Sequence, residues 1–207
     1  MEAELRQGVV GIAFFIGLLS VTHAGAGVVS LEEALAEKAM GKEDAPVTMI
    51  EHSSLTCPHC ALFHKETLPR IKKAYIDTGK VRLVYQDFPL GTLALAAAML
   101  ARCSGDSRYF GMLEVLFRSQ ETWARSNNPL TELERVVRFG GLSKTDVGDC
   151  LNNEGLMTAI RQRAAAAKDK FGINSTPTFV IDGKVVPGAL PFGEFQKILD
   201  EAVAKKR

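Results

Sequence analysis

The chain has 207 residues, 46% of them hydrophobic and 24% charged, with a formal net charge of +1. That is a soluble globular composition, long enough for one domain with a good core or one domain carrying a large insertion. Near-neutrality gives no electrostatic case for nucleic acid or an acidic surface, and the terminal Lys205-Lys206-Arg207 reads as a solvated helix end.

Val9 to Val21 is an apolar stretch too short for a comfortable membrane span, which needs roughly 20 residues. Ala24-Gly25-Ala26 follows with the A-x-A form of a secretory cleavage site, so residues 1–26 are expected to be a signal peptide and the protein to be exported. Glu2 and Glu4 outnumber Arg6 where a signal peptide should be basic, which leaves an uncleaved anchor as the alternative. Residues 27–44 are expected to hold a short acidic helix, Leu31 to Met40, and most of a linker and turn that runs from Gly41 to Pro46. An apolar β-rich run, Val47-Thr48-Met49-Ile50, then leads through the turn Ser53-Ser54-Leu55-Thr56 to Cys57-Pro58-His59-Cys60.

Helical spacing of Ala61, Leu62, Phe63, Leu68, Ile71 and Ala74 predicts a helix to about Asp77, broken by Thr78-Gly79. Val81 to Phe88 reads as a strand, and a crossover through a helix implies that it runs parallel to the first. From Thr92 to about Phe171 the pattern is helical throughout: Leu93–Cys103, Tyr109–Ser119, Thr131–Gly140, Lys144–Leu151 and Gly155–Lys170. Thr178 to Ile181, a tight Asp182-Gly183 turn and Lys184 to Val186 predict a β-hairpin, and Pro191 to Ala204 a closing helix. The expected architecture is therefore α/β. A β-α-β half (45–91) and a β-β-α half (172–207) flank an all-helical insertion (92–171).

Cys57-Pro58-His59-Cys60 carries the chemistry. Two thiols two residues apart can close a small disulfide ring or reopen it, exchanging electrons with other dithiols. At the start of a helix, unpaired backbone N–H groups and the positive dipole end stabilise a thiolate at Cys57. Pro58 suits the first helical position, and a protonated His59 would add a cation beside the sulfur. Cys60 lies deeper, where a resolving thiol is shielded. A zinc site completed by His59 and His64 is the weaker alternative, because His59 lies between the cysteines and no second C-x-x-C or H-x-x-x-H pair exists. No metal is expected. Adjacency pairs Cys57 with Cys60 and leaves Cys103 with Cys150, either bridged or as two buried free thiols, with the bridge favoured.

The C-x-x-C at a helix start and the later Asn174-Ser175-Thr176-Pro177-Thr178-Phe179 resemble the thioredoxin fold, and the helical insertion resembles its DsbA-type branch of exported thiol–disulfide oxidoreductases. The resemblance covers Ala45 to about Ala204. It implies that Cys57 is the exposed, attacked sulfur and Cys60 the buried resolving one. It implies a cis bond between Thr176 and Pro177, which on sequence alone reads as an ordinary trans proline, with Thr176 offering backbone pairing to a bound peptide. Glu51, six residues before Cys57, matches the family's buried proton acceptor for Cys60; the alternative is an exposed strand carboxylate. The family's lysine partner to that acid has only Arg82 as a loose counterpart. The Cys103/Cys150 pair departs from the best-known members and suggests a second, non-catalytic disulfide.

On this reading the protein introduces disulfides into cysteine-containing secreted proteins, with no cofactor beyond the redox-active disulfide Cys57–Cys60. It is a periplasmic monomer, or one anchored by its N-terminal segment, reoxidised by a DsbB-like membrane protein. An isomerase or reductase, and a peptide-binding chaperone-like module, are the competing expectations.

Overall fold

The computed structural model describes residues 27–206; the expected signal peptide and its cleavage site lie outside them. Val47–Ser53 forms β2 and Val81–Asp87 forms β3, both rich in the β-branched and aromatic residues that suit a pleated, buried surface. The helical crossover makes them parallel, in register from Val47 opposite Val81 to Ser53 opposite Asp87. On the other side of β2 lies β4 (Thr178–Ile181), antiparallel, and β5 (Lys184–Pro187) pairs with β4 as a hairpin. Asp182 and Gly183, at φ 47° and 86°, supply the two left-handed residues a tight hairpin turn requires.

The stretch Leu31 to Met40 is not one helix. It divides into α1 (Leu31–Leu35) and a short strand β1 (Lys38–Met40), which pairs antiparallel with β3 and completes the sheet order β1-β3-β2-β4-β5. Ala36 turns to extended backbone (ψ 152°), and Lys38 folds back to donate to the Glu33 carbonyl and to pair with Asp106. Edge pairing with β3 overrides a weak helical pattern here.

After Cys57 the helix α2 (Pro58–Leu62) continues through a widened π-type stretch (Phe63–Thr67), α3 (Leu68–Ile71) and a second such stretch (Lys72–Ile76). Pro69 lies between the two widened stretches; it lacks an N–H and clashes with the preceding turn, a recognised cause of local rewinding. The helical segment comprises α4 (Thr92–Cys103), α5 (Asp106–Arg118), α6 (Gln120–Ala124), α7 (Pro129–Phe139), α8 (Lys144–Leu151) and α9 (Glu154–Phe171), and α10 (Phe192–Ala204) ends the chain. The sequence pattern misses α6, which at one turn and a half has no periodicity to read. A Ser143/Asp146 capping box fixes the start of α8, and left-handed Gly172 ends α9.

Two apolar clusters result. One lies between sheet, α3 and α10 and centres on the mutually packed rings of Phe63, Phe179 and Phe195. The other fills the helical segment around Trp123, Tyr109 and Leu116, and contains the disulfide Cys103–Cys150, which joins α4 to α8. Cys57, Cys60 and Tyr85 belong to this second cluster, so the dithiol sits where the insertion meets the sheet. No helix among the described residues is long and apolar enough to cross a membrane.

Candidate active site

Cys57 caps α2 in extended backbone (φ −86°, ψ 120°) with Pro58 at the first helical position, so the unpaired N–H groups of the first turn face its sulfur. Both Cys57 and Cys60 are free thiols. Cys60 is inaccessible, as the shielded partner should be, but Cys57 is only 7% exposed rather than open to solvent. The cause is the facing segment: the Cys57 thiol donates to the Thr176 carbonyl at 3.2 Å, and Thr176 precedes Pro177 through a cis peptide bond.

The two thiols are driven apart in acidity. A hydrogen bond from Cys60 chiefly, with further ones from Thr176 and from the backbone N–H groups of Cys60 and His59, takes Cys57 from 9.0 down to about 5 against the opposing effect of burial. The buried, otherwise unpartnered Thr176 hydroxyl is free to turn to the thiolate. Burial, then hydrogen bonding and repulsion from Cys57, push Cys60 far above the ordinary thiol range, with Ser53 and the Ser54 backbone opposing. Near neutral pH the site thus holds one thiolate and one thiol. His59 is exposed, and what bears on the sulfur is its backbone N–H.

Glu51 is fully buried on β2 rather than an exposed strand carboxylate. Its partner is not Arg82, which pairs with Glu37 at 2.6 Å, but His64, whose Nε2 lies 2.9 Å from Glu51 Oε1. A side chain on β3 next to the edge strand reaches the edge more easily than the covered face. Gln120, at the start of α6, donates to the carbonyls of Leu55 and Cys57 at 2.8 and 3.0 Å and ties the insertion to the redox turn. No sequence signal marks Gln120, because it lies in the element without periodicity. In the sequence His64 reads only as a candidate zinc ligand; its place one helical turn after Cys60 is the signal that points to this role.

A thiolate and a protonated thiol separated by two residues, opposite an X–cis-Pro turn on a five-stranded mixed sheet, define a dithiol–disulfide exchange site in a thioredoxin fold with a helical insertion. The thioredoxin family profile matches residues 33–201, and the chain belongs to this family, in its DsbA-type branch. A Rickettsia conorii protein named as a protein-disulfide oxidoreductase is 33% identical over 172 residues, 81% of this chain and 61% of that protein. Disulfide bond formation protein D of Bacillus subtilis is 26% identical over 200 residues, covering 89% of this chain and 86% of the other. The crystal structure of alpha-DsbA1 from Wolbachia pipientis matches with a TM-score of 0.77 and 33% identity over 83% of this chain and 93% of that one. The chain thus spans about three-fifths of the rickettsial relative's length.

Proposed function

We propose that this chain is an exported thiol–disulfide oxidoreductase that introduces disulfides into cysteine-containing secreted proteins in the periplasm, acting as a monomer. The observation that carries this reading is the opposed acidity of the two thiols. A Cys57 thiolate stabilised in the reduced protein makes the Cys57–Cys60 disulfide the less stable state, and so an oxidant. A substrate thiolate attacks the Cys57 sulfur; the Cys57–Cys60 bond breaks, and its electron pair leaves with Cys60, which takes a proton. A second substrate thiolate then attacks the first substrate sulfur, releasing Cys57 as its stabilised thiolate and the substrate as a disulfide. Two electrons thereby pass to the protein, and a DsbB-like membrane protein would remove them.

The roles divide accordingly. Cys57 is the attacked sulfur, Pro58 and His59 shape the turn that holds its thiolate, and Cys60 resolves. Thr176 and Pro177 receive the substrate backbone beside the sulfur, Glu51 accepts the Cys60 proton, and Cys103–Cys150 is structural. The test is alkylation of reduced protein across pH, read by mass spectrometry. Cys57 should react with a midpoint near pH 5, and Cys57→Ser should lose at least about a thousandfold of dithiol-oxidising activity. A midpoint near the free-thiol value would remove the basis of the reading.

A further inference from the structure

Each passage through the cycle moves a proton to or from Cys60, which has no contact with solvent, and Glu51, which shares Tyr85 as a neighbour with Cys60, has none either. The proton therefore needs a way out. Ser53 and Glu51 project from the same face of β2, two residues apart, while Cys60 and His64 lie one turn apart on the helix above. The neighbours run side by side: the Ser53 hydroxyl, buried with no hydrogen-bond partner, lies near enough to Cys60 to favour its thiolate, and Glu51 bonds to His64. Glu51 Oε2 is buried with no partner, as is the hydroxyl of Tyr85, which stands opposite Glu51 in the β2–β3 register and feels the charges of both Glu51 and Cys60. The far side of His64 is different. Its ring stacks on Phe117 of α5, centroids 4.1 Å apart, and lines a cleft of about 350 Å³ that opens to solvent. The charged groups around this cleft are Lys65 and Lys72 of its own helical run and Glu114 and Arg118 of α5.

We propose that His64 is the proton-relay residue of the resolving thiol, passing the Cys60 proton between Glu51 and water in the Phe117 cleft. This rests on the reading of Cys60 as resolving thiol given above. When Cys60 resolves a mixed disulfide on Cys57, its S–H proton goes to Glu51 and its electron pair forms the Cys57–Cys60 bond. The bond from Cys57 to the partner sulfur breaks, the partner leaves as thiolate, and Glu51 is emptied through His64. Substrate oxidation runs the same path inward. His64 acts through Glu51 and touches neither sulfur, so its removal slows the Cys60 step while leaving attack by Cys57 untouched.

Stopped-flow mixing of reduced protein with oxidised glutathione separates attack by Cys57 from release of the second glutathione by Cys60. His64→Gln keeps a hydrogen bond to Glu51 but cannot relay a proton. It should slow release at least about tenfold and flatten its pH–rate profile, with the attack step unchanged. In His64→Ala the vacated space opens on the cleft, and added imidazole should restore most of the lost rate. Wild-type release rates and pH profile in His64→Gln would overturn the proposal, as would imidazole that does not accelerate His64→Ala. Should these variants not fold, the wild-type chain decides by NMR. The His64 ring resonances should shift between the oxidised and reduced protein, and identical positions in the two states would overturn the relay. If wild-type disulfide fails to oxidise a dithiol peptide, the functional reading itself falls; if it succeeds while His64→Gln behaves as wild type, only the relay falls.

Discussion

His52 shows how closely a buried polar residue can sit to the site without serving it. It follows Glu51 on β2, both ring nitrogens are buried without partners, and its neighbours are the rings of Phe88 and Phe171 at 6.5 and 6.0 Å. Burial lowers its pKa from 6.5 to about 4, against the pull of Glu51. The unfolded chain takes up this proton near pH 6.5, the folded chain only near 4. The stability it lends is therefore complete above 6.5 and lost as pH falls between those values. Replacing it with phenylalanine should flatten the acid limb of the stability curve by up to about 3 kcal/mol between pH 6.5 and 4, measured by urea unfolding at a series of pH values. An unchanged acid limb would mean the ring is protonated in the folded chain. The dithiol was legible at this scale, since its residue types and spacing state their own chemistry. Gln120 and the His64–Glu51 couple were not, because each depends on which strand face meets which helix, and a sequence does not state that.

At the scale of elements, the parallel β2–β3 unit, the terminal hairpin and most of the helices were readable from periodicity and turn residues. The misreadings share a cause. The residues of β1 and α6 have too few neighbours of their own to form a pattern, and they take their conformation from β3 and from the redox turn respectively. Arg82 follows the same logic: β1 and the chain before it bring Glu37 within its reach. The bridge Cys103–Cys150 ties α4 to α8 across a separation of 47 residues, and by chain entropy a closed loop of that length is worth about 4 kcal/mol. Cys103→Ala with Cys150→Ala should lower the unfolding free energy by up to that amount in denaturant titration. A change under about 1 kcal/mol would place the bridge's effect outside the unfolded-state account.

Across the whole molecule, the insertion and the sheet are joined by a buried ion pair as well as by the dithiol turn. Arg102 of α4 pairs with Asp87 at the end of β3 and donates to the carbonyls of Ala34 and Ala36 that end α1. Three parts of the chain thus converge on one guanidinium. Arg102→Met should cost about 3–5 kcal/mol, because Asp87 is left charged and buried, whereas adding Asp87→Leu should recover much of it. Thermal unfolding of the single and double variants checks this, and an additive double loss would contradict it.

On the proposed function, this architecture keeps Cys57 as a thiolate and so makes the disulfide oxidising. The Cys57 value in the folded protein lies below its free value of 9.0. Ionisation therefore favours the reduced fold fully above pH 9, and the effect fades as pH falls toward about 5. The most direct measurement is the reduction potential of Cys57–Cys60 at pH 7, by equilibration with glutathione buffers. The potential should lie well above the roughly −270 mV of a thioredoxin, toward about −120 mV; a value at or below that of thioredoxin would rule out an oxidising Cys57–Cys60 disulfide.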